Sequence, residues 1–308
     1  MEKDFWLSMY DDVEIYVKKW FNPNQKPKAI VQLAHGMAEH INRYHPFSNY
    51  LVENNIAVFG NDHRGHGQTG EKQGSLGYFA DENGFEKVTN DLFEVTLEIK
   101  KEYPDTPVYL VGHSMGSFLS RAYIQKYSQE VDGVILSGTG YFPKFQSLAG
   151  KQVAAVLPPK EETKLMNALT FGSYNKKVDD MHTTFDWLTR DQKMVQSYID
   201  DPYCGFVPKA RFFYDLMDGI KTIQDKRRNE AVRKDLPMLL VSGDADPVGD
   251  YAKGVWKTAQ LYEKAGLENI ASMFFHDGRH EILNELNKEE VFNLLFHWLR
   301  DQMNQSSK

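Results

Sequence analysis

The fold of this chain is decided by the stretch Val108-Tyr109-Leu110-Val111-Gly112-His113-Ser114-Met115-Gly116. Its first four residues form a short apolar run of the strand type, and apolar positions within residues 118–123 recur at helical spacing. The sequence therefore predicts a buried strand, a sharp turn carrying G-x-S-x-G, and a helix. Glycine on both sides of Ser114 fits this turn, because side chains there would collide with the adjoining strand and helix.

Strand patterns and helix patterns alternate over most of the chain. Short apolar runs bounded by turn residues occupy residues 29–34, 56–59, 108–111, 134–136, 238–241 and 272–275, and period-two alternation precedes them at 5–9 and 12–17. Helical spacing of apolar residues marks 85–99, 255–265 and 288–303. This alternation predicts an α/β domain with a mostly parallel sheet covered by helices on both faces.

The alternation stops between residues 141 and 235. Only helical patterns occur there, at residues 145–157, 163–171, 186–198 and 208–223. We therefore expect one α/β domain in two parts, 1–140 and 236–308, interrupted by a helical insertion at 141–235. Because the insertion follows the strand after Ser114, we expect it to lie over that edge of the sheet as a cap.

The serine of the G-x-S-x-G turn needs chemical partners, since a serine hydroxyl is a weak nucleophile until a base takes its proton. In the α/β-hydrolase fold, which is built around this turn, an acid and then a histidine follow the serine along the chain. Aspartates follow the run at 238–241, and histidines follow the run at 272–275. Both fall at carboxyl ends of predicted strands, on the same edge of the sheet as Ser114.

Two candidates exist for each partner of Ser114. We favour Asp246 over Asp244, because G-x-x-D before a Pro-pinned turn is typical of this fold and Asp244 is better placed to brace the loop. We favour His280 over His276, because His280 lies beyond a Gly-containing turn and can fold back, whereas His276 continues along its strand. The predicted triad is therefore Ser114, Asp246 and His280.

Acyl transfer also needs donors for the oxyanion that develops in the transition state. One predicted donor is the backbone N–H of Met115, directly after the nucleophile. The other is the backbone N–H of Met37, in the loop Leu33-Ala34-His35-Gly36-Met37 that follows an earlier strand. The methionine side chains themselves have no part in this prediction.

Composition and charge argue against several classes of partner. The chain has 36 Lys and Arg against 43 Asp and Glu, a net charge of −7, and it lacks the clustered basic face that nucleic acid requires. No apolar stretch approaches the roughly 18 residues of a membrane span, and no signal peptide is evident. The single cysteine, Cys204, cannot form an internal disulfide. We expect a soluble cytoplasmic protein that meets lipid through transient contact with a membrane surface.

The histidines at 35, 40 and 45 do not predict a metal site. Their spacing of five residues does not place them on one face of a helix, and no Cys or carboxylate completes a set in the sequence. His63 and His66 lie in a glycine-rich loop, which we expect them to hold by hydrogen bonds. We therefore expect neither a metal nor another cofactor.

Several motifs together resemble the monoacylglycerol lipase and bacterial lysophospholipase group. They are HGMAEH at 35–40, NDHRGHGQT at 61–69, GHSMG at 112–116 and, within the insertion, LTRD at 188–191 and DPYC at 201–204. The resemblance implies ester hydrolysis of a single-chain acyl glycerol without a cofactor. It also implies that Glu39, Arg43 and His113 lie near the polar head of the substrate. Met37-Ala38 stands where such lipases often carry two small residues, which narrows or reshapes the oxyanion side.

The leading hypothesis is a serine carboxylic ester hydrolase that cleaves monoacylglycerol-like or lysophospholipid-like esters through an acyl-enzyme. The alternatives are a carboxylesterase for small esters, an aminopeptidase on the same fold, and a relative that binds ligands without chemistry. Competent residues at all three triad positions disfavour the last. Some apolar side chains of the insertion are expected to line an acyl tunnel, and the candidates are Phe142, Phe145, Leu148, Val153, Val156, Leu165, Leu169 and Phe171.

Overall fold

The computed structural model describes residues 1–306 and contains one eight-stranded sheet. The strands are β1 (Glu2–Ser8), β2 (Glu14–Trp20), β3 (Ala29–Ala34), β4 (Ile56–Asn61), β5 (Val108–His113), β6 (Gly133–Ser137), β7 (Met238–Gly243) and β8 (Ile270–Phe275). Their order across the sheet is β1-β2-β4-β3-β5-β6-β7-β8. Pairing is antiparallel for β1 with β2 and for β2 with β4, and parallel from β4 to β8. Every residue of β3 to β7 is buried, as their unbroken apolar runs predict.

Helices cover both faces of the sheet. They are α1 (His45–Glu53), α2 (Gly67–Lys72), α3 (Gly84–Glu102), α4 (Met115–Tyr127), α5 (Lys144–Ala155), α6 (Lys164–Phe171), α7 (Gln192–Asp200), α8 (Ala210–Ile223), α9 (Lys226–Glu230), α10 (Lys253–Lys264) and α11 (Lys288–Ser306). One core contains Leu92 of α3 and Leu119 of α4, and the core on the opposite face contains Phe47 of α1 and Leu295 of α11. The predicted fold class, an α/β-hydrolase sheet between two helical layers, is confirmed.

The helix predicted over residues 186–198 is wrong in its first half, because α7 begins only at Gln192. The backbone before it is engaged elsewhere: the Trp187 carbonyl accepts the N–H of His280 at 3.3 Å. Asp191 then caps the helix by accepting the N–H of Lys193 at 3.0 Å. A tertiary contact with the loop after β8 thus outweighs the helical pattern of this segment.

The segment between β6 and β7 contains α5 to α9 and joins the α/β body closely. α8 packs against α3, where a side chain at Gly219 would lie 2.4 Å from the ring of Phe85, and α5 packs on α8. The division into 1–140 and 236–308 with a cap at 141–235 stays a prediction, and Ser307 and Lys308 lie outside the described residues. Within residues 1–306, no helix has both the length and the apolar character needed to cross a membrane.

Candidate active site

Ser114 occupies the strained turn that the sequence predicts between β5 and α4. Its backbone angles are φ 52° and ψ −120°, and its N–H donates to the Ser137 carbonyl at 2.9 Å. The glycines on either side have no room for a side chain. A Cβ on Gly112 would lie 2.4 Å from the Gly116 carbonyl oxygen, and a Cβ on Gly116 would lie 2.0 Å from the Ala34 carbonyl oxygen. The turn therefore places Ser114 at the carboxyl end of the parallel strands.

His280 and Asp246 form a buried pair at the same edge of the sheet. His280 Nδ1 lies 3.0 Å from both carboxylate oxygens of Asp246. Asp246 is fully buried and also accepts the N–H of Val248 at 2.8 Å and the hydroxyl of Ser242 at 3.2 Å. Burial opposes the charged imidazolium, but the Asp246 carboxylate outweighs it and raises the pKa of His280.

The alternative pair, Asp244 and His276, lies on the surface. His276 Nδ1 is 3.2 Å from Asp244 Oδ2, and the side chain of His276 is 88% exposed. Asp244 also accepts the N–H of Asp277 at 2.7 Å, which is the loop-bracing role that the sequence favours. Ser114 and His280 line one cavity, and neither member of the surface pair does. The geometry therefore favours Asp246 and His280 as the partners of Ser114.

The loop after β3 is held in a defined orientation by His35. The backbone N–H of His63 donates to His35 Nε2 at 3.0 Å, so the proton of this imidazole is on Nδ1. Nδ1 then donates to the Gly36 carbonyl at 2.7 Å. Because the Gly36–Met37 peptide is trans, its N–H points away from that carbonyl. Burial lowers the pKa of His35 well below its ordinary value, so the imidazole stays neutral.

The same loop is anchored from its other side by Glu39. Glu39 Oε1 accepts the N–H of Gly36 at 2.5 Å and the hydroxyl of Tyr44 at 2.8 Å. Met37 lines a cavity together with Ser114 and Met115. Met115 is the first residue of α4, where N–H groups have no acceptor within the helix. Both predicted oxyanion residues therefore border the nucleophile.

Two cavities meet at Ser114. The smaller, about 260 Å³, has ionisable groups in its wall, namely Glu39, His113, His280 and Glu281, among apolar side chains such as Trp187 and Phe206. The larger, about 600 Å³, is predominantly apolar. The apolar side chains lining it are Met37, Met115, Phe118, Phe142, Phe145, Ala149, Val153, Met166, Leu169, Phe171, Leu216, Met217, Ile220 and Val248. Leu148, Val156 and Leu165, which the sequence also offers as tunnel residues, are not among its lining.

Glu39, Arg43 and His113 occupy different positions relative to these cavities. Glu39 and His113 line the smaller cavity, whereas Arg43 lies behind it in an adjoining void. Arg43 Nη1 donates to Glu39 and to Glu281 at 2.6 Å each, and Nη2 donates to Glu281 at 2.7 Å. Burial alone would raise the pKa of Glu281, but Arg43 lowers it to about 2. Burial, together with the neighbouring His280, lowers the pKa of His113 to about 4.

Glu281 and Trp187 also belong to the site, although no motif in the sequence predicts either residue. Glu281 directly follows His280, and this adjacency is the only local signal for its position. The Trp187 ring centroid lies 5.0 Å from that of His280, so Trp187 covers the imidazole from the segment between β6 and β7. Its sequence context indicates a helix rather than a wall of the site.

Comparison with known proteins agrees with this geometry. Residues 25–287 match the family model described as Serine aminopeptidase, S33. Monoglyceride lipase of Rattus norvegicus is 27% identical over 280 residues, which cover 87% of this chain and 84% of the relative. The Monoglyceride lipase homolog of Monkeypox virus is 40% identical over 245 residues, which cover 78% of each chain. A thermostable carboxyl esterase from Bacillus coagulans, solved in complex with glycerol, superposes with a TM-score of 0.91 at 26% identity, covering 98% of this chain and 99% of that one.

These relatives confirm the resemblance to monoacylglycerol lipases that the motifs at 35–40, 61–69 and 112–116 carry. They match most of the chain, so the likeness is not confined to the G-x-S-x-G turn. The chain belongs to the family described as Serine aminopeptidase, S33, and is a serine hydrolase with the α/β-hydrolase fold.

Proposed function

We propose that this protein is a carboxylic ester hydrolase that cleaves monoacylglycerol-like lipids into a fatty acid and a polyol. The observation that carries the proposal is the position of Ser114 between the larger apolar cavity and the smaller cavity, whose wall includes the carboxylates of Glu39 and Glu281. An ester whose acyl chain fills the larger cavity and whose alcohol fills the smaller cavity has its carbonyl at Ser114. The carboxyl esterase and monoglyceride lipase relatives support the ester as the bond that is cleaved.

In the proposed mechanism, Ser114 Oγ attacks the ester carbonyl while His280 Nε2 takes its proton. Asp246 holds the proton of His280 on Nδ1 and stabilises the imidazolium that forms. The N–H groups of Met37 and Met115 donate to the oxyanion of the tetrahedral intermediate. His280 then protonates the departing alcohol, and an acyl-enzyme remains on Ser114. Water, activated by the same imidazole, releases the fatty acid and regenerates the serine.

The charge in the wall of the smaller cavity favours a neutral alcohol over a phosphorylated one. Glu39 and Glu281 both line it, and they share a single guanidinium, that of Arg43. A phosphodiester next to the glycerol would bring another negative charge beside these carboxylates, and no Lys or Arg is among the described residues that line the cavity. A glycerol can instead donate its hydroxyl protons to them. We therefore propose monoacylglycerols ahead of lysophospholipids.

The proposal includes transient contact with a lipid surface. Phe145 and Leu169 are 71% and 62% exposed and line the larger cavity, so an apolar surface surrounds its opening. Three further apolar side chains nearby are exposed: Leu148 on α5, Val156 directly after α5, and Leu165 on α6. Exposed apolar patches of this kind mark contacts with lipid or protein. A cytoplasmic location, where the thiol of Cys204 stays reduced, is part of the same proposal.

A substrate panel with one acyl chain and different leaving groups tests the function. The panel pairs a palmitoyl monoacylglycerol with palmitoyl lysophosphatidylcholine, a palmitoyl methyl ester and an aminoacyl amide. We expect kcat/KM to be highest for the monoacylglycerol and lowest for the amide. A fluorophosphonate should label the wild-type protein and not Ser114→Ala. Preferential cleavage of the amide would show that the protein is an aminopeptidase and not an ester hydrolase. Absence of labelling would show that Ser114 is not a catalytic nucleophile.

A further inference from the structure

A histidine, a carboxylate and the chain's single cysteine meet beside the oxyanion loop. His40 Nε2 lies 2.9 Å from Asp201 Oδ2, and one possible ligand atom from each of His40, Asp201 and Cys204 lies within 4.8 Å of the other two. His40 and Cys204 are buried, whereas the side chain of Asp201 is 28% exposed. The cluster therefore opens to solvent on the Asp201 side and is closed by protein on the others.

The cluster is formed by the fold rather than by neighbouring residues in sequence. His40 follows the loop after β3, and Asp201 lies 161 residues further along the chain, at the end of α7. Ala38 joins the two segments, because its carbonyl accepts the hydroxyl of Tyr198 at 2.8 Å and the N–H of Gly205 at 3.0 Å. The sequence expectation of no carboxylate or Cys beside His40 is thus corrected by this tertiary contact.

The charges around the cluster favour a cation. Glu39, Glu281 and Asp201 contribute three carboxylates, and Arg43 contributes a single positive charge. A divalent cation would neutralise the excess negative charge and displace the thiol proton, as metal binding to cysteine does.

We propose that His40, Asp201 and Cys204 form a binding site for a divalent cation of the Zn²⁺ type. Imidazole, thiolate and carboxylate are the three ligand classes that Zn²⁺ takes in proteins, and thiolate disfavours Mg²⁺ and Ca²⁺. Water reaching the cluster from the Asp201 side completes a four-coordinate site. Asp244, His276 and Asp277 form a second group with metal-ligand spacing, but it lacks sulfur and is largely exposed.

A cation in this site would connect two walls of the substrate cavity. His40 is next to Glu39, which holds the Gly36 N–H, and the segment carrying Asp201 continues to Gly205 in the cavity wall. Bound metal would therefore fix the end of α7 against the oxyanion loop. Because the unfolded chain lacks this arrangement, binding adds to the free energy of unfolding.

Cobalt substitution tests the site with a readout that does not depend on activity. The protein is first treated with a chelator and then titrated with Co²⁺, and the cobalt–thiolate charge-transfer absorption is followed. We expect one equivalent to produce the band and Zn²⁺ to displace it. Cys204→Ser should abolish the band, and His40→Gln should weaken Co²⁺ binding more than about tenfold. His276→Gln, the matched change in the surface group, should leave both unchanged.

Thiol reactivity gives a second readout that needs no variant. Cys204 is the only cysteine, so the rate of alkylation by iodoacetamide reports on it alone. We expect saturating Zn²⁺ to slow alkylation and to raise the thermal unfolding midpoint, and Mg²⁺ to do neither. A titration without a charge-transfer band overturns the proposal, as does alkylation at the same rate with and without Zn²⁺. If only His276→Gln loses Zn²⁺ binding, the cation binds to the surface group of Asp244, His276 and Asp277, and the proposed site at Cys204 is wrong.

Discussion

His280 presents its Nδ1 atom to both carboxylate oxygens of Asp246, at 3.0 Å each. The carboxylate cannot exchange this partner for water, because Asp246 is fully buried and His280 is 2% exposed. Its charge therefore fixes the proton on Nδ1 and leaves Nε2 free to accept the proton of Ser114 in the proposed mechanism. The same charge raises the pKa of His280, even though burial opposes the imidazolium.

This pair predicts the acid limb of the pH–rate profile. Only neutral His280 can accept the serine proton, so kcat/KM should fall as pH drops through its pKa, which the Asp246 carboxylate raises above the ordinary histidine value. In Asp246→Asn, burial still opposes the imidazolium but the compensating charge is lost. We therefore expect the limb to move to lower pH and kcat to fall by roughly 10³ to 10⁴. Profiles measured with a soluble ester check both effects, and an unmoved limb would contradict the assignment of His280 as the base.

The candidate triad was accessible from the sequence because each member stands in a local pattern. Ser114, Asp246 and His280 each follow a strand of the parallel sheet within a few residues, and parallel strands bring their carboxyl ends to one edge. Asp246 could be separated from Asp244 only by the spacing of its turn. The fold, and the edge of the sheet at which the site lies, can thus be predicted from local sequence patterns.

What the sequence did not predict depends on contacts between distant segments. Arg43 binds Glu281, 238 residues away, and no local pattern marks that pair. α2 has the sequence GQTGEK, with no apolar period, and begins where Asp62 accepts the N–H of Gln68 at 2.8 Å. Contacts with distant residues determine such features, so helix propensity and apolar periodicity do not predict them.

The hydrogen bonds of His35 predict a positioning role for this residue. His35→Leu removes the donor to the Gly36 carbonyl and frees the Met37 N–H to turn, so we expect kcat to fall about tenfold to a hundredfold. KM should change little, because His35 is not part of either cavity wall. In His35→Asn, the amide nitrogen takes the place of Nδ1, and most of the activity should return. Steady-state kinetics of both variants measure this difference.

His66 provides the control for that experiment. Its ring lies 5.3 Å from that of His35 in the same buried cluster, but its Nδ1 bonds to the Arg64 carbonyl. His66→Leu should therefore alter the thermal midpoint without a comparable loss of kcat. Equal losses of kcat in His35→Leu, His35→Asn and His66→Leu would show that packing of the cluster, and not orientation of the Met37 peptide, is responsible.

Arg43 predicts a large effect on stability. Arg43→Met leaves the carboxylates of Glu39 and Glu281 buried without their cation, which should lower the free energy of unfolding by about 3–5 kcal/mol at neutral pH. The loss should shrink at acid pH, where protonation removes the unpaired charges. Urea unfolding at two pH values measures this loss.

Lys126→Met is the control for this experiment. It breaks the exposed pair with Glu86 and should lower the free energy of unfolding by less than about 1 kcal/mol. Similar losses in the two variants would mean that the buried cluster is not charged as described.

The size of the larger cavity predicts how kcat/KM depends on the length of the acyl chain. Val153 lies in its wall on α5, and Val153→Phe should shorten the space that an acyl chain can enter. Each methylene excluded from apolar contact costs about 0.8 kcal/mol, or roughly fourfold in kcat/KM. We therefore expect steep losses for long-chain monoacylglycerols and little change for a butyryl ester. A homologous ester series on the wild-type protein and the variant measures the two slopes.

Val156 supplies the matched control for the acyl series, since it follows α5 directly, is 83% exposed and is not part of the cavity wall. Val156→Phe makes the same chemical change three residues away and should leave the chain-length slope intact. If Val153→Phe lowers kcat/KM equally for every ester, the substitution disturbs the site in general. If the wild-type protein itself hydrolyses short and long esters at one rate, the acyl chain does not occupy this cavity, and the assignment of the apolar side to the fatty acid is wrong.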